Sequence, residues 1–311
     1  ILVIRLSAFG DFVQALGPFA AIRRHHCGDR IVLLTTQPFA GFAAELGYFD
    51  EIIVDERPGP LALGGWLRLR RRLRQGKFDR VYDLQTSSRS ARYAALLRPG
   101  MPEWSGIAWR CSHPHANLAR DNQHTLDEQA EQLLMAGIHP SATTPWLPAA
   151  GALPAALCGR RFAVLIPGSA PHRPEKRWPA PYYGELAGRL HRDGLVTVVA
   201  GVAGEETIAR AIRDVCPDCV DLVGRTDLAA LAALARVAAL TIGNDTGATH
   251  VAAAGGRPVV ALFSHASEPG LCAPRGAAVT VLVEPDLADL TVDKVFAACR
   301  PAIAAAQATA R

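Results

Sequence analysis

The sequence is poor in aromatic residues, carries little net charge and has no long apolar segment. Aromatic residues make up 6% of its 311 residues, and none forms a stacking motif with the arginines, which argues against a nucleic-acid-binding protein. The net charge of +4 is likewise too small to indicate nucleic acid as a partner. No apolar run reaches the roughly 18 residues that cross a bilayer. What remains is an ordinary globular composition, 50% hydrophobic and 20% charged.

The spacing of the cysteines does not match a disulfide framework. They stand at positions 27, 111, 158, 216, 219, 272 and 299. An odd number at irregular spacing predicts reduced thiols, which is typical of a cytoplasmic protein. Cys216 and Cys219 form one CxxC motif, but it lacks a second pair for zinc and does not follow a strand as a thioredoxin motif does. The sequence therefore predicts no metal site.

Short apolar runs alternate with helical patterns along the chain, which predicts parallel α/β sheets. The chain opens on such a run at residues 1–4, so we expect no signal peptide. The further predicted strands cover residues 31–35, 52–54, 80–84, 163–166, 196–200, 239–242, 259–263 and 279–283. The clearest predicted helices cover residues 61–74, 90–97, 125–136, 182–192, 205–215 and 228–238.

Residues 142–159 are rich in proline and alanine and predict a linker between two domains. The expected domains are residues 1–150 and 151–311, each with its own doubly wound, Rossmann-like parallel sheet. Two such domains facing each other across a central cleft make the GT-B fold. The last helical pattern, at residues 292–310, could pack back on the first domain.

The polar turn within residues 239–263 follows one buried strand and precedes a helix of small residues. Asp245, Thr246 and Gly247 would lie at the start of that helix, where free backbone N–H groups and the helix dipole favour an anion. In an open α/β sheet this is also the end of the strand at which ligands bind. The alternative is that Asp245 is only a helix N-cap.

A second polar turn follows the first strand, at residues 7–11. Gly10 would allow a tight turn and the close approach of a ligand to the backbone. Asp11 would lie at a helix N-terminus, where its carboxylate is stabilised as the anion. An ionised carboxylate that faces a crevice can act as a general base. Here too the alternative is a helix N-cap.

Three further turns lie in the second half of the chain. The turn at residues 165–179 places Gly168 and Ser169 after a strand and Lys176 before a helix, which suits a diphosphate; the alternative is a solvated pair of cations at residues 176 and 177. In the turn at residues 198–206, either Glu205 or Glu206 could bind a ribose diol or only favour the helix dipole. In the third turn, at residues 222–228, the residue at 226 or 227 would cap the next helix.

Arginine is concentrated in the first half of the chain. Residues 66–74 contain five arginines interleaved with leucines, including Arg70 and Arg71, and Arg89 and Arg110 add positive charge nearby in sequence. A basic amphipathic helix can lie on an anionic membrane or bind acidic sugars and phosphates. The alternative is a solvated basic face.

Taken in order, these turns resemble glycosyltransferase family 9, the lipopolysaccharide heptosyltransferases. The resembling segments are residues 1–5 with 7–11, 78–90, 167–169 with 176–179, 224–228, and 243–250 with 258–263. The resemblance implies an inverting, metal-independent enzyme without a cofactor, which moves heptose from a nucleotide sugar, ADP-heptose, to a lipopolysaccharide inner-core acceptor such as Kdo-lipid A or a heptosylated core. It also implies a cytoplasmic protein in peripheral contact with the inner membrane.

The resemblance assigns a role to each candidate residue. Asp11 would be the catalytic base, Lys176 would bind the diphosphate, and Glu206, with Glu205 as the alternative, would bind the ribose. The other implied donor contacts are Gly168, Ser169, Thr226, Asp245, Thr246, Gly247 and His250. The implied acceptor contacts are Ser7, Gly10, Arg70, Arg71, Arg89 and Arg110. The loop at residues 169–176 and Ala248 depart from the family pattern, which leaves the phosphate contacts and the shape of the donor pocket open.

Two other classes of function stay open at this point. One is a different nucleotide-sugar enzyme, with another sugar donor or acting as a 2-epimerase, which needs no acceptor and would not depend on residues 70–72. The other is a family member that only binds a nucleotide or a glycan. The retention of Asp11, Lys176 and His250 argues against this second alternative.

Overall fold

In the computed structural model, which describes residues 1–139 and 153–308, the buried apolar runs of the sequence form two separate parallel sheets. The chain divides into two units, Ile1–Trp146 and Leu147–Arg311. The boundary expected from the sequence lies between residues 150 and 151. Most of the predicted linker at residues 142–159 lies outside the described residues.

The first unit contains a six-stranded sheet in the order β3-β2-β1-β4-β5-β6. Its strands are β1 (Leu2–Ile4), β2 (Val32–Thr35), β3 (Glu51–Val54), β4 (Arg80–Asp83), β5 (Glu103–Gly106) and β6 (His113–Pro114). Its helices are α1 (Phe9–Gln14), α2 (Leu16–His25), α3 (Gln37–Glu45), α4 (Leu63–Gln75), α5 (Ser88–Leu96) and α6 (Thr125–Met135). Every paired strand of this sheet runs parallel to its neighbour.

The second unit repeats this arrangement with the strand order β12-β11-β10-β7-β8-β9. Its strands are β7 (Phe162–Ile166), β8 (Val196–Val199), β9 (Val220–Asp221), β10 (Leu240–Asn244), β11 (Val259–Phe263) and β12 (Val279–Val283). Its helices are α7 (Ala180–Arg192), α8 (Glu206–Val215), α9 (Leu228–Val237), α10 (Gly247–Ala254), α11 (Pro269–Cys272) and α12 (Val292–Ala308). The prediction of two doubly wound parallel sheets is therefore confirmed.

Each sheet has its own apolar core, because strands that are covered on both faces bury nearly every side chain. In the first unit β1, β2 and β4 pack against Tyr93 of α5 and against Trp104, and both aromatic side chains are fully buried. In the second unit β7 and β10 pack against Trp178, Tyr183 and the apolar face of α8. These cores hold the polar turns at the strand ends in place.

Helix α12 belongs to the second unit. Val292, Val295 and Cys299 are buried in the same core as β10 and α7. These described side chains complete the core of the second unit. The packing of this helix on the first domain stays a prediction. None of the described helices combines the length and the apolar character needed to cross a membrane.

Candidate functional site

In both sheets, the direction in which the chain adds strands reverses at one point of the strand order. From β1 the chain builds the sheet outward through β2 and β3, and it then returns to add β4 on the other side of β1. In the second unit the same reversal lies between β7 and β10. Ligands of open α/β sheets bind outside the carboxyl ends of the strands at this reversal. All five turns singled out from the sequence follow strands, and three of them follow β1, β7 or β10.

Asp11 lies in the first turn of α1, at the carboxyl end of β1. Its Oδ2 accepts a hydrogen bond from the backbone N–H of Ala8 at 3.1 Å and lies 3.3 Å from the Nη2 of Arg5. The Arg5 side chain is buried, and it also donates to the carbonyl of Leu84 at the end of β4. The Asp11 side chain is 39% exposed, so this fixed carboxylate still faces solvent. Gly10 lies inside α1, and the turn itself falls before it, which corrects the expectation that Gly10 forms the tight turn.

The turn that leads to Asp11 is held by a side chain from the neighbouring strand end. The Oε1 of Gln85 accepts the backbone N–H groups of Leu6, at 2.7 Å, and Ser7, at 3.0 Å. The Oδ1 of Asp83 in turn accepts the N–H groups of Gln85 and Thr86, each at 3.2 Å. Sequence reasoning missed Arg5, Asp83 and Gln85 as site residues. The predicted strand at residues 80–84 and the polar residues that follow it were the available signal.

Asp83 is fully buried, and burial raises the pKa of its carboxyl from 3.8 to about 7. Because the folded protein binds this proton more tightly than the unfolded chain, Asp83 should destabilise the protein progressively as the pH rises between these two values. The Asp83→Asn variant lacks this carboxyl, so its free energy of unfolding should not fall for this reason. The difference in free energy of unfolding between the variant and the wild type should therefore shift in favour of the variant by up to about 4 kcal/mol from about pH 4 to about pH 8. Calorimetric melting at a series of pH values checks this, and a difference that does not change with pH contradicts it.

A second polar cluster adjoins the turn in the first unit. Arg57, which follows β3, donates through Nη2 to the Oγ of Ser7 at 3.0 Å. The buried carboxylate of Asp55 accepts from the Tyr93 hydroxyl at 2.5 Å and lies 3.7 Å from the Nε of Arg89. The structure thus brings the predicted residues Ser7 and Arg89 to the same edge of the sheet. It adds Arg57, which is exposed and was missed by sequence reasoning.

The other predicted acceptor residues do not join this cluster. Arg70 donates through Nε to the carbonyl of Leu96, at the far end of α5, 3.3 Å away. Since α5 begins at the carboxyl edge of the sheet and runs back, its last residue lies toward the opposite edge. Arg71 is exposed on α4. Arg110 is exposed in the loop after β5, with its guanidinium 4.5 Å from the ring centre of Trp109.

In the second unit, Asn244 ties together the two strand ends at the reversal. It is the last residue of β10, and its Nδ2 donates to the carbonyl of Pro167, just after β7, at 2.7 Å. Its Oδ1 accepts from the backbone N–H of Trp178 at 3.1 Å and from the Tyr183 hydroxyl at 2.9 Å. This buried amide fixes the spacing of the turns on both strands. Sequence reasoning did not select it.

Lys176 and Asp245 meet directly beside this amide. The Nζ of Lys176 lies 2.6 Å from the Oδ2 of Asp245, and their side chains are only 18% and 8% exposed. Thr246 precedes α10 with an extended backbone and makes no side-chain cap. The N–H of Thr249 donates to the Thr246 carbonyl at 3.0 Å, which leaves the first two amides of the helix to face an anion. His250 is 6% exposed one turn into the same helix. The structure places five residues predicted from the sequence around the end of β10: Lys176, Asp245, Thr246, Gly247 and His250.

The turn after β7 is braced by its own arginine. The Nε of Arg177 donates to the Oγ of Ser169 at 2.9 Å, and its Nη2 donates to the Ser169 carbonyl at 3.1 Å. The Ser169 hydroxyl donates to the carbonyl of Arg173 at 2.8 Å. The hydroxyl predicted to bind a ligand therefore has internal partners that hold the loop in shape.

The two adjacent glutamates of the turn at residues 198–206 have different surroundings. The carboxylate of Glu205 lies so close to Gly168 and Gly201 that a Cβ on either glycine would come within 2.5 Å of it. Burial raises the pKa of Glu205. Glu206 is exposed and folds back onto the N–H of the preceding Gly204, at 3.0 and 3.1 Å. Only Glu205 lies against the turn that follows β7.

The last predicted donor residue follows β9. Thr226 is half-buried in the turn before α9. The Oδ1 of Asp227 accepts the N–H of Ala230 at 2.8 Å, so Asp227 is the residue that caps α9. This leaves the hydroxyl and backbone of Thr226 outside the helix.

These features define a protein of the GT-B fold, with two Rossmann-like units and a polar turn at the reversal of the second sheet. The sequence profile described as glycosyltransferase family 9 (heptosyltransferase) matches residues 66–294. The chain belongs to this family of glycosyltransferases.

Individual relatives agree with this assignment. The chain is 30% identical to lipopolysaccharide heptosyltransferase 2 of Escherichia coli K12 over 237 residues, which cover 67% of this chain and 66% of that protein. It is 33% identical to lipooligosaccharide heptosyltransferase 2 of Haemophilus influenzae over 117 residues, which cover 36% of this chain and 34% of that protein. Both matches thus span less than two thirds of the relative.

A solved structure extends the likeness in fold to nearly the whole chain. The E. coli ADP-heptose lps heptosyltransferase II superposes with a TM-score of 0.77 at 22% identity, covering 98% of this chain and 99% of that chain. This likeness confirms the predicted GT-B fold.

Proposed function

We propose that this protein transfers heptose from ADP-heptose to the inner core of lipopolysaccharide, with inversion at the anomeric carbon and without a metal ion. The observation that carries the proposal is the Lys176–Asp245 pair at the open N-terminus of α10, because a lysine and free helix amides together suit a diphosphate. Family membership and the heptosyltransferase names of the relatives support the choice of sugar.

On the donor side, Lys176, His250 and the first amides of α10 would bind the diphosphate. Glu205 would bind the ribose diol, because its carboxylate lies against the turns after β7 and β8. The backbone near Thr226, beyond β9, would contact the nucleobase. Fixed positive groups at the place where negative charge develops can stabilise a leaving diphosphate without a metal.

On the acceptor side, Asp11 would act as the general base. As the acceptor oxygen bonds to the anomeric carbon, its proton passes to the Asp11 carboxylate. The bond between the anomeric carbon and the phosphate oxygen breaks, and its electron pair leaves with ADP. Arg5 would orient the carboxylate for this step, since its buried guanidinium lies 3.3 Å away. Attack opposite to the leaving group accounts for inversion.

Arg57 and Arg89 would bind the acidic part of the acceptor. Both guanidinium groups lie at the strand edge that carries Ser7 and Asp11. Arginine is suited to carboxylates and phosphates because its planar fork donates two parallel hydrogen bonds. A Kdo carboxylate or a core phosphate has this chemistry. We further propose that the reaction takes place at the cytoplasmic face of the inner membrane.

Binding of nucleotides tests the donor assignment. Calorimetric titration with ADP, UDP and GDP in the presence of a chelator should give selective ADP binding. Preference for UDP or GDP would leave the fold intact and overturn the choice of ADP-heptose. Absence of binding by all three would contradict the proposed donor site.

The two glutamates supply a matched pair of variants. We expect Glu205→Gln to weaken ADP binding by about 10- to 100-fold, because a hydrogen bond to a charged group contributes about 1.5–3 kcal/mol. Glu206→Gln should leave ADP affinity unchanged within about twofold, since an exposed surface substitution has little effect. The same calorimetric titration checks both, and equal losses in the two variants would contradict the assignment of the ribose site.

A further inference from the structure

The start of α4 exposes three leucines to solvent. Leu61, Leu63 and Leu67 are 94%, 73% and 62% exposed, whereas Leu69 and Leu73 of the same helix are buried in the first core. A single exposed leucine is ordinary on a protein surface. Residues four apart on a helix are neighbours, so Leu63 and Leu67 form one apolar patch, and Leu61 lies just before the helix.

The same stripe of the helix continues as positive charge. Arg71 and Arg74 follow Leu63 and Leu67 at helical spacing. Arg72 is also exposed, about 100° further round the helix than Arg71. Helix α4 contains no acidic residue. Within the described part of the chain, no ion pair or hydrogen bond engages the side chains of these three arginines, whereas Arg68 pairs with Glu56 at 3.0 Å. The stripe from Leu63 to Arg74 is about 16 Å long at 1.5 Å per residue.

This surface borders the proposed acceptor site. Helix α4 follows β3, so it begins at the carboxyl edge of the first sheet. The connecting loop is held to that edge, because Arg57 donates to Ser7 at 3.0 Å and Arg89 donates to the carbonyl of Pro58 at 3.2 Å. The indole of Trp66 donates to the carbonyl of Gly59 in the same loop at 2.9 Å. The exposed leucines therefore lie at the end of α4 nearest to Asp11.

We propose that Leu61, Leu63, Leu67, Arg71, Arg72 and Arg74, here called the α4 surface, dock the protein on a bilayer that contains anionic phospholipid. The leucines enter the boundary of the acyl chains, and the arginines lie among the phosphate groups, as in other interfacial amphipathic helices. The inference deepens the proposed function, because a lipid-linked acceptor is presented at such a surface. Docking itself requires neither donor nor acceptor.

Co-sedimentation of the full chain with vesicles tests this proposal. Vesicles of phosphatidylcholine alone are compared with vesicles that also contain phosphatidylglycerol. We expect the wild type to bind the anionic vesicles. The triple variant R71Q/R72Q/R74Q should bind them about 100-fold less tightly, since each cation near an anionic surface contributes about fivefold. The triple variant L61S/L63S/L67S should also lose binding to the anionic vesicles, because it removes the apolar contact with the acyl chains.

Two matched control variants replace exposed arginines or exposed apolar side chains outside the α4 surface. Arg192, Arg210 and Arg213 are exposed on the second unit, so R192Q/R210Q/R213Q loses the same charge. Leu118, Val215 and Val237 are 102%, 50% and 50% exposed, so L118S/V215S/V237S removes a comparable apolar set. Both controls should bind vesicles as the wild type does. Unchanged ADP affinity and an unchanged melting temperature in the α4 variants verify that they are folded.

Each result decides the proposal. A wild type that does not sediment with anionic vesicles overturns it, as do α4 variants that bind like the wild type or controls that lose binding equally. Vesicle binding by a protein that shows no heptose transfer would defeat the proposed function and leave the docking surface standing. Heptose transfer to a water-soluble acceptor by a protein that does not bind vesicles would support the proposed function and overturn the docking surface.

Discussion

We expect Asp11→Asn to lower the kcat of heptose transfer by about 100- to 10,000-fold, the usual contribution of a general base. The amide keeps the size of the side chain and can still accept the N–H of Ala8, but it cannot take a proton from the acceptor hydroxyl. The affinity for ADP should stay unchanged, because Lys176 and α10 belong to the other unit. Steady-state kinetics and calorimetry separate these two effects.

Glu56→Gln provides a control in the same unit. Glu56 is an exposed carboxylate whose ion pair with Arg68 lies on the surface, so its removal should change kcat by less than about twofold. Full activity in the Asp11 variant would exclude Asp11 as the base. An equal loss in both variants would point to a general effect of charge on this unit.

The second large effect is expected at Lys176. Lys176→Met should lower kcat/KM by about 100- to 1,000-fold, since it removes a positive group from the leaving diphosphate. The substitution also leaves the Asp245 carboxylate, whose side chain is 8% exposed, without its cation and close to the phosphates. Both changes should weaken ADP binding, which calorimetry measures directly.

The double variant K176M/D245N separates these contributions. Removing the unpaired carboxylate should restore part of the ADP affinity lost in K176M, because contacting charges are not additive. If the double variant binds ADP no better than K176M, the repulsion by Asp245 is refuted. Unchanged ADP affinity in K176M itself would refute the whole diphosphate assignment.

Much of the fold could be predicted because its strands are buried on both faces and form continuous apolar runs. The strands that were missed lack this signal. Strand β5 spans four residues that include Glu103 and Ser105, and β6 and β9 have two residues each. They form because they pair with a strand of a sheet that is already present, and not because their own residues favour a strand: β5 lies between β4 and β6, and β6 and β9 are edge strands.

The same limit applies to the candidate site. Asp11 and Asp245 were accessible from the sequence because each follows the end of an apolar run within a few residues. Lys176 was accessible because it stands in the polar loop between such a run and the next helix. Gln85 and Asn244 act by hydrogen bonds to a neighbouring strand end, and the sequence does not reveal which strands are neighbours. Charge alone likewise did not indicate that the guanidinium of Arg70 donates to the carbonyl of Leu96 in α5.

One measurement tests the central claim most directly. The purified protein is incubated with ADP-heptose and Kdo-lipid A in the presence of a chelator, and the lipid is analysed by mass spectrometry. We predict that the acceptor gains one heptose for each ADP released and that Asp11→Asn slows this gain by about 100- to 10,000-fold. An acceptor that stays unmodified with ADP-heptose, or that is modified only by another nucleotide sugar or only after a metal ion is added, would contradict it.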